Sequence, residues 1–102
     1  MTAFDFNNHT KVHTRLRDKI LEYLNSLPES DFEISPSGSR AGKHDITGCL
    51  SGRYVSIEVK TGKAKPTRLQ LYEARQKKAA GAIVIFAYSI DEVTTGLAKE
   101  KC

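Results

Sequence analysis

Two short alternating segments meet at Ser51-Gly52, and this junction constrains the fold more than any other feature of the chain. His44–Leu50 and Arg53–Lys60 carry the every-other-residue pattern of strands, and the polar-Gly link between them signals a tight hairpin. With Ser51 and Gly52 as the turn, Leu50 faces Arg53, and counting outward sets Asp45 opposite Glu58. Opposed side chains on one face of an antiparallel pair lie about 4.5–5.5 Å apart. On the second strand Val55, Ile57 and Val59 point to one face; Tyr54, Ser56, Glu58 and Lys60 point to the other. A turn of odd length would send the two carboxylates to opposite faces, so the register is decisive.

The rest of the chain supplies a frame for this hairpin. From Thr10 to Leu27, apolar residues recur at Val12, Leu16, Ile20, Tyr23, Leu24 and Leu27, the spacing of one helix face, and Leu27-Pro28 ends it. Asp31–Ser35 alternates like a short strand, and Ser35–Lys43 is a loop on composition. Thr61–Pro66 forms a second loop. Thr67-x-x-Gln70 then has the capping-box pattern of a helix start, with an apolar face through Leu69, Tyr72, Ala79 and Ala80 to Gly81. Ala82–Ala87 is apolar on both faces, as expected of a central strand. Ser89-x-x-Glu92 opens a final helix carrying Val93 and Leu97. The order α-β-β-β-α-β-α predicts an α/β domain with a mixed sheet, the last strand lying parallel to one strand of the hairpin.

A length of 102 residues holds one domain, expected to span residues 1–102 with a core from about 10 to 98. With 39% apolar and 27% charged residues the chain is neither a disordered tail nor a fibre. Its longest apolar run, Ala82–Ala87, falls far short of the ~20 residues of a membrane span. Met1-Thr-Ala-Phe-Asp-Phe shows no secretory pattern, and Cys49 and Cys102 lack disulfide-framework or zinc-site spacing. A reducing cytoplasm is the expected setting. The net charge of +4 hints at a polyanionic partner, and its distribution sharpens the hint. Arg40 and Lys43 share the first loop, while Lys60, Lys63, Lys65 and Arg68 fall within nine residues around Gly62 and Pro66.

Two acids and a lysine at one end of a hairpin suit a hard divalent cation, which is usually held by one or two carboxylates together with phosphate oxygens. The ion would offset the repulsion between Asp45 and Glu58, polarise a phosphoryl oxygen and acidify a bound water. Lys60 would orient that water or hold charge developing in the transition state. The same residues also read as a surface acid beside a Glu-Lys ladder on an exposed sheet face.

At these positions the sequence resembles the PD-(D/E)xK nuclease superfamily, and within it the stand-alone VRR-NUC type found in phages and bacteria. The resemblance rests on Gly42-Lys-His-Asp45-Ile, Ile57-Glu58-Val59-Lys60-Thr-Gly62-Lys63 and Leu69-Gln70, and it extends from about Val12 to Leu97. It implies a restriction-endonuclease-like fold. It also implies Asp45, Glu58 and the Val59 carbonyl as ligands of Mg²⁺ or Mn²⁺, Lys60 as the catalytic lysine, and Gln70 beside it. By residue pattern alone, Gln70 equally closes a capping box with Thr67. The sequence departs from the family twice. His44 stands where proline is common, and His13 falls where the family carries an acid on its first helix. Glu22 lies roughly 135° from the centre of the helix's apolar face, whereas His13 lies about 45° from it and can point toward the sheet. His13 is therefore either a further metal ligand or a histidine at the border of the core.

In this setting Arg40, Lys43, Lys63, Lys65 and Arg68 are expected to neutralise DNA phosphates, positioning a duplex without reading its sequence. No separate recognition module is visible, so selection by DNA shape is expected. The resemblance implies a homodimer acting on branched DNA such as a four-way junction, in a bacterial or phage-infected cell, without a membrane or a small-molecule cofactor. Two other readings stay open. One is a nucleic-acid-binding module with weak or lost catalysis, and the other is a basic interaction protein whose paired acids are incidental.

Overall fold

The elements run α1 (Ala3–Asn25), β1 (Ser30–Ile34), β2 (Ile46–Leu50), β3 (Arg53–Val59), α2 (Arg68–Ala79), β4 (Ile83–Ala87) and α3 (Ile90–Glu100). This computed structural model describes residues 3–35 and 45–100, with side chains in α1 described from Val12 onward. The loop bearing Arg40 and Lys43, together with His44 and Cys102, lies outside the described residues. The sheet has the order β1-β2-β3-β4, antiparallel across the first two pairings and parallel between β3 and β4. This is the α/β architecture with a mixed sheet that the sequence predicts.

The hairpin turn sets the register. Ser51 and Gly52 both have positive φ, 50° and 87°, the signature of a turn whose twist matches that of its flanking strands. Ser51 tolerates this conformation because it is tied down: its N–H donates to the Glu29 carbonyl at 2.8 Å and its hydroxyl to Glu29 Oε1 at 3.2 Å. Leu50 consequently pairs with Arg53, and Ile46 with Ile57. One strand over, β1 presses so closely on Gly48 that a Cβ there would sit 2.1 Å from the Asp31 carbonyl oxygen. Only glycine permits that approach.

The core lies on one face of the sheet, where Ile20 and Leu24 of α1 and Val93 and Leu97 of α3 bury Phe32, Ile46, Val55, Ile57, Val59, Ile83 and Ala87. α2 packs on β4, where Ala74 and Val84 are buried outside that cluster. The Lys77 ammonium lies 5.6 Å from the centre of the Tyr54 ring. The molecule is thus three-layered.

Ala82–Ala87 departs from expectation in position. Its strand is not central but at an edge of the sheet, paired among the described residues with β3 alone. It is apolar on both faces because helices cover both, α3 from one side and α2 from the other. The first helix also starts at Ala3, not Thr10, since its opening turns lack the apolar periodicity that would announce them. It stops at Asn25, short of Leu27. There the Asn25 amide turns to the strand, donating from Nδ2 to the Phe32 carbonyl at 3.1 Å and accepting the Phe32 N–H at 2.9 Å. Leu27 still packs on the core, which is why the periodicity overran the helix.

At the other end of the hairpin, Asp45 and Lys60 lie just beyond the strands proper. The Asp45 carbonyl accepts from the Ser35 N–H at 2.8 Å, and the Lys60 N–H donates to the Ala87 carbonyl at 2.9 Å. Among the described residues, no helix is long and apolar enough to cross a membrane.

Candidate active site

The turn at one end of the hairpin determines what meets at the other. One step beyond the Ile46–Ile57 pair, Asp45 comes beside Glu58. Asp45 bends over the end of the ladder, its Oδ2 accepting the Val59 N–H at 2.8 Å, and its carboxylate shares a side-chain hydrogen bond with Glu58. Glu58 is only 6% exposed. Its carboxyl is pushed up to about 8, chiefly by burial and next by the Asp45 charge, while Lys60 pulls the other way. A hydrogen bond in which the protonated Glu58 donates to Asp45 adds to the rise. The pair is thus held together by one proton, in a place where a cation could replace it.

His13 reaches this point from α1. Its Nε2 is 3.1 Å from the Val59 carbonyl oxygen and 3.3 Å from Asp45 Oδ2. The carbonyl can only accept, so the ring proton sits on Nε2 in this arrangement. His13 thus touches Asp45 and the Val59 carbonyl from a half-buried position beside the core.

Lys60 follows Glu58 by two residues, and its ammonium donates to Gln70 Oε1 at 2.7 Å. The same oxygen accepts the Thr67 N–H at 2.9 Å, and Thr67 Oγ1 accepts the Gln70 N–H at 3.0 Å. Gln70 thus closes the capping box and accepts from the lysine with the same oxygen.

Lys63, Lys65 and Arg68 are exposed along the connection from β3 to α2. That connection is pinned by Tyr88, whose hydroxyl donates to the Ala64 carbonyl at 2.5 Å. Nothing in the sequence marks Tyr88 as a contact to this connection. The one sequence signal beside it is the Ser89–Glu92 cap, and the structure shifts that cap onto it. Ser89 Oγ accepts the Glu92 N–H at 3.2 Å, but the Glu92 carboxylate accepts the Tyr88 N–H at 2.6 Å instead of returning to Ser89.

The donor set suits a hard dication: two carboxylates and one main-chain carbonyl oxygen, at Asp45, Glu58 and Val59. Among the described residues, no three His, Cys, Asp or Glu side chains form a ready-made cage, so the backbone oxygen is needed to complete the set.

No family profile matches the sequence, and no curated protein matches it. A solved structure described as a VRR_NUC domain does. It superimposes with a TM-score of 0.70 at 24% identity, covering 84% of this chain and 94% of that one. The chain has the fold of a VRR_NUC domain.

Proposed function

We propose that this chain is a divalent-metal-dependent endonuclease that hydrolyses phosphodiester bonds in DNA. The observation that carries the reading is the Asp45–Glu58 pair brought side by side at the hairpin end, with Lys60 two residues along and anchored by Gln70. Likeness to a structure whose name denotes a nuclease domain supports the same reading.

Asp45, Glu58 and the Val59 carbonyl would hold Mg²⁺ or Mn²⁺. When bound, the ion supplies Lewis-acid polarisation of the phosphate and a water acidified enough to attack it. Glu58, buried beside Asp45, would give up its proton on taking the ion. Lys60, fixed by Gln70, is placed to orient the nucleophile or to stabilise charge on the phosphate oxygens. Lys63, Lys65 and Arg68, with Arg40 and Lys43 of the first loop, neutralise phosphates on either side. Because those contacts read no bases, the substrate is selected by shape, and we assign branched DNA, with four-way junctions foremost. A homodimer would present two sites to such a two-fold substrate. We place this activity in the cytoplasm.

A second reading, a nucleic-acid-binding module with weak catalysis, draws support from His13, whose ring occupies the Val59 carbonyl and stands where the family's acid is expected. A cleavage panel separates the two. Four-way junction, flap, duplex and single-stranded DNA are incubated with Mg²⁺ or Mn²⁺, using wild type beside Asp45→Ala, Glu58→Ala and Lys60→Ala. Metal-dependent scission abolished by each substitution supports the enzyme; tight binding without scission by wild type supports the module.

A further inference from the structure

Between the oxygens assigned to the metal stands a nitrogen, and it is not placed there loosely. His13 shares its helix face with Ile20 and Leu24, two and three turns further along, both completely buried against the sheet. The core therefore fixes the azimuth of the ring. Its Nε2 lies within 3.3 Å of both Asp45 Oδ2 and the Val59 carbonyl oxygen. An ion bound to those two oxygens would meet Nε2 directly.

We infer that His13 is a metal ligand that tilts the site away from Mg²⁺ and toward a first-row transition-metal dication; this rests on the metal-dependent reading above. Mg²⁺ takes a near-ideal octahedral shell of oxygens at about 2.0–2.1 Å and keeps several of its waters. Imidazole nitrogen is a poor partner for it and a good one for softer dications, whose affinity for mixed nitrogen and oxygen sites rises along the series from Mn²⁺ to Cu²⁺. Ligation through Nε2 requires the ring proton to sit on Nδ1, so binding exchanges the hydrogen bond to the Val59 carbonyl for two bonds to one ion, from the ring and from the carbonyl. An acid at position 13 would instead give an all-oxygen set with one more negative charge, the kind of set that favours Mg²⁺.

The test reads binding, not cleavage. Mg²⁺ and Mn²⁺ are titrated calorimetrically into the full chain, as wild type, His13→Glu and His13→Gln, and the Mn²⁺-loaded wild type is examined by pulsed electron paramagnetic resonance for coupling to ¹⁴N. Wild type is expected to bind Mn²⁺ at least about tenfold more tightly than Mg²⁺, a difference of roughly 1.4 kcal/mol. The spectrum should show one histidine nitrogen. His13→Glu should bring the two affinities together by tightening Mg²⁺, and His13→Gln should weaken Mn²⁺ more than Mg²⁺. If wild type binds both ions equally and shows no nitrogen coupling, His13 is not a ligand, and the metal-dependent reading stands without it. If wild type binds neither ion, that reading falls and this inference with it. The spectrum of wild type decides the matter even if the substitutions impair folding.

Discussion

Lys60 and Gln70 meet across the gap between a strand end and a helix start, the ammonium donating to Oε1 at 2.7 Å. Since the same oxygen caps α2 through the Thr67 N–H, the helix that covers β4 and the lysine that follows Glu58 are held by one atom. Thr67→Ala removes the hydroxyl half of the cap and should cost about 1 kcal/mol of stability while leaving Lys60 in place. Gln70→Ala should cost a similar amount and, in addition, lower the rate of DNA cleavage by about 10²-fold or more. Denaturant unfolding and single-turnover kinetics on both variants separate the two contributions.

Glu58 makes stability fall as pH rises. Its carboxyl goes from 4.5 in the unfolded chain to about 8 in the native protein. Between those values the folded state keeps a proton that the unfolded state has released. The associated stability is fully present below 4.5 and is lost as pH climbs through about 8, at up to about 1.4 kcal/mol per pH unit. Metal-free Glu58→Gln should lose this slope, as urea unfolding across that range will show.

Burial, not the neighbouring charge, is the leading cause of that shift. Asp45→Asn removes the charge and leaves Glu58 just as deep. Carboxyl NMR titration of this variant should show Glu58 titrating lower than in wild type but still above the ordinary carboxylate range. A return to the ordinary range would assign the whole effect to Asp45.

The site depends on a turn at the far end of its hairpin. One residue inserted between Ser51 and Gly52 should slip the β2–β3 register, separate Asp45 from Glu58 by the thickness of the sheet and abolish metal binding. Gly48→Ala tests the fold alone. It forces β1 away from β2 and should cost at least about 3 kcal/mol in denaturant unfolding.

The exposed cations should act additively on phosphate. Lys63→Ala, Lys65→Ala and Arg68→Ala are each expected to reduce the salt dependence of DNA binding by about one charge's worth, 0.7–0.9 in the log–log slope. The loss should be similar for every sequence, since contacts to phosphate read no base.

Those parts of the fold that depend on local chemistry were legible in the sequence. Ser51-Gly52 fixed the pairing because a two-residue turn permits only one register, and Thr67 with Gln70 marked the start of α2 because a capping box is a local pattern. What depends on distant partners was not. The edge position of β4 is invisible in a run apolar on both faces, because covering helices and flanking strands leave the same signature. Asn25 reads as a polar residue at a helix end, and nothing nearby reveals that its amide serves as a strand partner for Phe32. The residues of the candidate site were nameable one at a time. That Gln70 does two things, and that His13 lies between Asp45 and the Val59 carbonyl, follows only from packing three layers together.

The most direct measurement is cleavage of a four-way DNA junction with Mg²⁺ or Mn²⁺ by wild type, Glu58→Gln and Lys60→Met, with DNA binding followed in parallel. Scission by wild type alone, with binding retained in all three, is the expected result. Scission that persists in either variant, or its absence from wild type with both ions, would contradict a nuclease built on Asp45, Glu58 and Lys60.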